Sequence, residues 1–214
     1  MLKKNKTMII ITTLVALLPI LVGLLLWDQL PEQIPSHWGI DGEVDSWSSK
    51  SFAVFFLPLM VAGIHLVCVF ASSLDPKHHA YEGKMLQLVL WICPVLSLVI
   101  SSLVYTYALG YDFLDVPFIM CLLVGIMFII VGNYLPKCRQ SYTMGIKLPW
   151  TLDDEGNWNA THRFGGWVWV ICGVAMLATA FLGNFWVLLG VLLVAVILPT
   201  VYSYLYYRKH RKNG

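Results

Sequence analysis

Long apolar segments alternate with short polar segments along the whole chain. A membrane-spanning helix needs about 20 mostly apolar residues, because the hydrocarbon core of a bilayer is about 30 Å thick. The segments that approach or exceed this length are residues 8–27, 52–74, 86–109, 117–135, 166–182 and 185–207. Each is too uniformly apolar for a helix in the core of a soluble protein. The pattern predicts an all-α integral membrane protein, a bundle of six transmembrane helices.

The composition agrees with this assignment. Only 12% of the residues are charged and the mean hydropathy is +0.73, whereas a soluble domain carries about 25% charged residues. The five cysteines show no Cys-x-x-Cys spacing. The sequence therefore predicts neither a disulfide framework nor a zinc site.

The distribution of basic residues predicts the orientation. Cytoplasmic loops of membrane proteins carry an excess of lysine and arginine. Apart from Lys50, every lysine and arginine falls in the N-terminal tail, the second loop, the central polar segment or the C-terminal tail. Both termini and the central segment are therefore predicted to be cytoplasmic, and the loop at residues 28–51 is predicted to be extracytoplasmic.

The predicted spans contain no aspartate, glutamate, lysine or arginine. Ion-coupled transporters usually bind the coupling ion at charged residues inside the membrane. This argues against a secondary transporter, although a small-solute transporter or exporter is kept as the alternative function. His65, which lies well inside a span, is interpreted as a hydrogen-bonded helix-packing residue.

The extracytoplasmic loop carries the signals of a small hairpin. Pro31 and Pro35 favour an extended backbone. Asp41-Gly42 is a turn signal between two short runs, residues 34–38 and 44–47, that suit strands. The loop is therefore predicted to form a two-stranded hairpin at the outer membrane surface.

A metal site in this hairpin is the weaker interpretation. Asp41, Glu43 and Asp45 alternate like the first ligands of a calcium loop, but the glycine is misplaced and no glutamate follows at the twelfth position. His37 has no second histidine nearby. The favoured interpretation is a polar hairpin that caps the helices, and no metal or cofactor is predicted.

The central segment, residues 133–166, is the longest run that is too polar for a lipid core. It contains acid and base types such as Asp153 and His162. It lacks a nucleophile elbow, a glycine-rich phosphate loop and a His-Glu-x-x-His motif, so no enzyme is predicted. A short helix from about Asp153 is expected to run through Trp158 and His162 toward the fifth span. Trp150 and Trp158 are interpreted as interfacial anchors. Two interpretations stay open: an ordered cap held by a lysine, arginine and carboxylate network, or a docking surface for a partner.

The segment GNYLPKCRQSYTMGIKLPWTLDDEGNWNATHRFGG resembles the signature of the SdpI family of bacterial multi-pass membrane proteins. That signature has Gly-Asn at a helix end, then Gly-Ile-Arg-x-Pro-Trp-Thr-Leu, an acid, a tryptophan and Thr-His-Arg-x-x-Gly. Here Lys147 stands in place of the frequent arginine and Ser141 in place of the usual asparagine. Lysine keeps the charge but lacks the planar, two-pronged donor of arginine.

The extracytoplasmic loop resembles a module often fused to that family, with the pattern Leu-Pro-x-x-Ile-Pro-x-His followed by Gly-x-x-Asp and a lysine. Asp75-Pro76-Lys77 also resembles the usual loop after the second helix. On this basis the chain is predicted to divide into an N-terminal module, residues 1–84, with two spans, and an SdpI-like region, residues 85–214, with four.

The resemblance implies a function in the bacterial cell membrane. It implies an immunity protein, not an enzyme, that protects the cell from a secreted antibacterial toxin peptide. A further hypothesis is that the protein is also a receptor that sequesters a cytoplasmic DNA-binding repressor at the membrane. The implied partners are therefore the toxin peptide, the repressor and the lipid bilayer, with no direct contact to nucleic acid.

The two motifs supply the candidate site residues. The proposed toxin-facing residues are Pro31, Pro35, His37, Gly42, Asp45 and Lys50. The proposed partner-binding residues on the cytoplasmic side are Asn133, Gly145, Lys147, Pro149, Trp150, Thr151, Trp158, Thr161, His162 and Arg163.

Overall fold

The computed structural model of the protein describes residues 2–76, 84–111, 115–182 and 184–211. Within this part of the chain, most residues are helical. The helices are α1 (Lys6–Leu25), α2 (Leu57–Leu74), α3 (Lys84–Ala108), α4 (Val116–Tyr134), α5 (Pro149–Asp153), α6 (Glu155–Ala180) and α7 (Phe185–Arg211). A π-helical segment, Phe52–Phe56, leads into α2, and a 3-10 turn, Leu135–Lys137, follows α4. Two strands, β1 (Gln33–Trp38) and β2 (Val44–Ser49), complete the fold.

Six of these helices are long and apolar enough to cross a membrane, and α5 is the short exception. The prediction of a helical membrane protein with six spanning helices is confirmed. The side of the membrane on which the termini lie stays a prediction.

The fifth spanning helix begins earlier than predicted. The sequence predicted a span at residues 166–182 and a short helix from about Asp153 that runs through Trp158 and His162 toward it. In the structure the two are one helix, since α6 runs without a break from Glu155 to Ala180. Its N-cap is Asp154, whose Oδ1 accepts a hydrogen bond from Gly156 N–H at 2.8 Å. The helix extends beyond the apolar run because the polar side chains of its first turns find partners inside the protein.

The chain forms two compact units by its internal contacts. One comprises Met1–Leu74 with Tyr81–Val116, and the other comprises Asp75–Ala80 with Pro117–Gly214. Packing therefore places α3 with α1 and α2. The predicted division of the chain into domains near residue 84 is based on sequence resemblance, whereas these units are defined by internal contacts. The domain division therefore stays a prediction.

In the first unit, β1 and β2 form the predicted antiparallel hairpin. Gln33 pairs with Ser49 and Trp38 pairs with Val44, with irregular register in between. Under the hairpin lies a buried apolar cluster composed of Leu30, Ile34, Ala53, Val54, Val104 and Tyr105. The cluster fixes the hairpin on the ends of the helices.

His65 of α2 is fully buried in the first unit. Its Nε2 lies 3.0 Å from Thr12 Oγ1 of α1, and the Thr12 hydroxyl is itself within reach of the Met8 carbonyl oxygen at 2.8 Å. This contact joins two helices, in agreement with the helix-packing role expected for His65.

In the second unit, glycines bring the backbones of α4 and α6 close together. A Cβ on Gly132 would lie 2.9 Å from the Gly166 carbonyl oxygen, and one on Gly173 would lie 2.7 Å from the Gly125 carbonyl oxygen. Small residues permit such close approach between membrane helices. Trp169 of α6 also connects to α7, since its Nε1 donates a hydrogen bond to the Ala195 carbonyl at 3.0 Å.

Candidate functional site

The central loop, residues 138–148, turns sharply at Gly145. The φ angle of Gly145 is 103°, a conformation that residues with a Cβ rarely adopt. A Cβ at this position would also lie 2.4 Å from His162 Nε2 and 2.8 Å from the ring of Trp158. Glycine is therefore required here for two independent reasons.

His162 holds this turn from inside the protein. Its Nε2 accepts a hydrogen bond from Ile146 N–H at 2.9 Å, and its Nδ1 lies 2.8 Å from the Trp158 carbonyl oxygen. Since a carbonyl can only accept, Nδ1 carries the proton and the ring is neutral. The ring is buried and stacks on Trp158 with 4.0 Å between centroids. Both nitrogens are occupied, so His162 shapes the loop and is not available as an acid or base.

Trp158 is completely buried, with 0% of its surface exposed. Its indole Nε1 donates a hydrogen bond to the Cys138 carbonyl at 2.8 Å. The prediction that Trp158 anchors the protein at the membrane interface is therefore wrong, because its polar edge is satisfied within the loop. Burial also raises the pKa of the Cys138 thiol to about 11, so this thiol is protonated at neutral pH.

Thr151 locks the end of the loop onto α5. Its Oγ1 accepts a hydrogen bond from Leu148 N–H at 2.9 Å and lies 3.0 Å from the Ile146 carbonyl oxygen. Pro149 occupies the first position of α5, where its fixed φ suits a helix start. Gln140 adds two hydrogen bonds from Nε2, to the carbonyls of Thr151 and Leu152 at 2.9 and 2.8 Å.

A buried polar network connects α5, α6 and α7. Asn157 Oδ1 accepts hydrogen bonds from Thr161 Oγ1 at 2.8 Å and Ser203 Oγ at 2.9 Å, while its Nδ2 donates to the Ser203 carbonyl at 3.1 Å. Trp150 Nε1 donates to Ser203 Oγ at 2.9 Å, and the Trp150 ring stacks on Tyr207. The network ties the last turns of α7 to α5 and to the first turns of α6.

Asp75, the residue after α2, anchors the first half of the central loop. It is only 3% exposed, and its Oδ2 accepts hydrogen bonds from both polar groups of Thr143, the backbone N–H at 3.1 Å and Oγ1 at 3.0 Å. Ser141 Oγ and Tyr142 N–H donate to the same oxygen, each at 2.9 Å. Lys77, which completes the Asp75-Pro76-Lys77 motif, lies outside the described residues.

The candidate residues of the central segment divide into an exposed set and a buried set. Lys147 is exposed and donates a hydrogen bond to the Thr143 carbonyl at 3.2 Å, and Arg163 is exposed on α6. Asn133 is exposed, with Nδ2 bonded to the Ile129 carbonyl at 3.0 Å. Thr151, Trp158, Thr161 and His162 are buried. The buried set can influence a partner only through the shape of the loop.

In the hairpin, His37 and Asp45 form an exposed pair. His37 Nδ1 lies 2.6 Å from Asp45 Oδ1, and their side chains are 67% and 50% exposed. Gly42 lies in the turn with a φ of 84°. Pro31 is exposed, whereas Pro35 is buried. Within the described residues, no three histidine, cysteine, aspartate or glutamate side chains are placed to hold a metal ion.

Lys50 does not point away from the protein. It is only 6% exposed, and its Nζ donates a hydrogen bond to the Trp27 carbonyl at 3.1 Å and pairs with Glu32 Oε1 at 3.0 Å. The ammonium group also lies 5.1 Å from the centre of the Trp27 ring. Lys50 therefore fastens the hairpin to the end of α1 and is not an open contact residue.

Sequence reasoning did not identify several residues that build the loop: Asp75 as its anchor, and Gln140, Asn157 and Ser203 as its internal partners. One signal was available. Asn157 and Thr161 are four residues apart and so share a helix face. Their partner Ser203 is remote in sequence, and only the fold brings it to them.

Comparisons with known proteins extend over both motifs. Residues 137–203 match the SdpI/YfhL protein family, and residues 14–62 match a domain of unknown function, DUF1648. The chain is 29% identical over 214 aligned residues to Immunity protein SdpI of Bacillus subtilis (strain 168), and the match covers 97% of each chain. No solved structure matches.

Proposed function

We propose that this multi-pass bacterial membrane protein is an immunity protein of the SdpI/YfhL family that protects the cell from a secreted antibacterial toxin peptide. The observation that carries the proposal is the similarity to Immunity protein SdpI along nearly the whole chain. The aligned region includes the hairpin and the central loop as well as the helices. Both polar motifs therefore lie within the region of similarity.

The hairpin is the proposed contact for the toxin. Its exposed groups include the His37–Asp45 pair, which joins the two strands, and the ring of Trp47, which is 55% exposed. Such a mixture of a rigid aromatic ring and hydrogen-bonding groups suits binding of a peptide. Lys50 and the apolar cluster under the hairpin hold this surface in place.

The central segment, residues 133–166, is the proposed site of the second partner. Lys147 and Arg163 present positive charge, and the buried set fixes the backbone from which Lys147 projects. Under the positive-inside rule this segment faces the cytoplasm. There it would dock a DNA-binding repressor, as in the receptor hypothesis, or connect toxin binding outside with a response inside.

The test is a protection assay. The chain is expressed in a toxin-sensitive bacterium that lacks an immunity protein, and the cells are exposed to an SDP-type toxin peptide. Survival that depends on the chain is the expected result. Death of cells whose membranes contain the protein would contradict protection against this toxin, and solute uptake into vesicles would then test the transporter alternative.

Substitutions in the central segment test its role in protection separately from the amount of protein in the membrane. Lys147→Ala and Arg163→Ala are each expected to abolish protection at an unchanged membrane level, because they remove exposed charge without disturbing buried contacts. Arg139→Ala is the matched control, since Arg139 is also an exposed cation but lies outside the motif. Intact protection in both motif variants would remove the proposed role of the loop.

A further inference from the structure

The contacts of Asp75 carry a role that the family resemblance does not assign. Four hydrogen bonds from residues 141–143 converge on one carboxylate oxygen, Asp75 Oδ2. The donors are two backbone N–H groups and two hydroxyls, and the oxygen is buried. Hydrogen bonds to an ionised group are roughly twice as strong as those between neutral groups. The position of this carboxylate therefore determines the path of the loop at residues 141–143.

The anchored residues lie directly before the turn. Ser141 Oγ, held by Asp75, also accepts hydrogen bonds from Thr143 N–H at 3.1 Å and Met144 N–H at 3.0 Å. Gly145 follows, and Lys147 Nζ is bonded to the carbonyl of Thr143. A displacement of the carboxylate would thus be passed through Ser141 and Thr143 to Lys147.

Asp75 directly follows Leu74, the last residue of α2, but its contacts place it in the same unit as the central loop. The anchor and the loop therefore lie in one unit, although 66 residues separate Asp75 from Ser141 in the chain.

We infer that Asp75 is the positioning residue that sets the conformation of the central loop and the placement of Lys147. It acts through Ser141 and Thr143. The assignment of positioning stands on the contacts alone, and only its link to immunity rests on the proposed function.

Cys138 provides the reporter, since it lies in the same loop and is buried. In a full-length variant whose other four cysteines are replaced by alanine, maleimide labelling of Cys138 in detergent is expected to be slow. Asp75→Ala should accelerate labelling about tenfold or more, because charge-assisted hydrogen bonds to a buried group are lost. Asp75→Asn should be intermediate, since an amide oxygen can occupy the position of Oδ2 but carries no charge.

Two controls separate positioning from general unfolding. A second variant keeps only Cys172, which is buried in α6, and its labelling should not change with Asp75→Ala. Asp153→Asn removes an exposed acid near the loop and should leave Cys138 protected. Equal labelling of Cys138 in wild type and Asp75→Ala, or equal exposure of Cys138 and Cys172, would overturn the inference.

A double-mutant cycle identifies the path of the effect. Ser141→Ala should accelerate Cys138 labelling in the wild-type background but add little in the Asp75→Ala background, because the two residues share one contact. Strictly additive effects would contradict action through Ser141. If labelling behaves as expected but Asp75→Ala cells still survive the toxin, the inference stands and the role of the loop in immunity fails.

Discussion

At the scale of single residues, the contact between Gly145 and His162 decides the shape of the central loop. The imidazole fills the space that a Cβ on residue 145 would need, and its Nε2 satisfies the N–H of the next residue. Lys147 therefore projects from a backbone that is held on both sides. Both ring nitrogens of His162 are occupied by hydrogen bonds that shape the loop. The presence of this histidine is therefore not evidence of catalysis.

The first prediction concerns Gly145→Ala. We expect a lower midpoint of thermal unfolding in detergent, because positive φ costs a non-glycine residue about 1–3 kcal/mol and the new methyl group also meets His162. Gly110→Ala separates these causes, since Gly110 has a φ of 89° but open space around it, and a smaller loss is expected. If both variants lose the same stability, the steric contact with His162 has no measurable cost.

At the scale of elements, α6 is the helix around which the second unit is built. Its glycines contact α4, and its first turns carry the side chains that hold the central loop and the end of α7. A helix with so many internal polar partners can continue past the apolar core of a bilayer. This accounts for its start at Glu155, well before the apolar run at residue 166.

The second prediction concerns Asn157→Ala. The substitution removes the acceptor to which the buried hydroxyls of Thr161 and Ser203 donate, at an expected cost of about 1–3 kcal/mol. Trypsin should then cleave faster after Arg208 and Lys209, at the end of α7. Asn159→Ala is the control because Asn159 is exposed on the same helix. Equal cleavage rates in the two variants would show that the network does not hold α7.

At the scale of the whole molecule, we propose a partner-binding surface on each side of the membrane, from the distribution of basic residues and the two polar motifs. The hairpin is stabilised by Lys50 and an apolar cluster in the first unit. The central loop is stabilised by contacts of the second unit. Each surface is thus built within its own unit. Asp75, the anchor of the central loop, directly follows α2 in the chain.

The third prediction concerns orientation. Single cysteines are introduced by Ile40→Cys in the hairpin, where residue 40 is 69% exposed, and by Lys209→Cys near the C-terminus, after removal of the native cysteines. On intact cells a membrane-impermeant maleimide should label only the hairpin cysteine, and both should react after permeabilisation. Labelling of residue 209 on intact cells would invert the proposed topology.

The sequence by itself determined the number of spanning helices, the hairpin and the place of both polar motifs. These features depend on the sum of apolar residues over a short window and on local turn preferences. Such sums need no knowledge of the rest of the chain. The same reasoning located the central loop but treated Trp158 as an interfacial anchor and Lys50 as an exposed contact.

Only the tertiary structure decided which motif residues are exposed. Trp158 bonds to Cys138, Lys50 bonds to Trp27, and Asp75 bonds to residues 141–143. The partners are 20 or more residues apart in the chain, so no local pattern relates them. A polar side chain is buried only where the fold supplies a matching donor or acceptor, and that match exists only once the helices have packed.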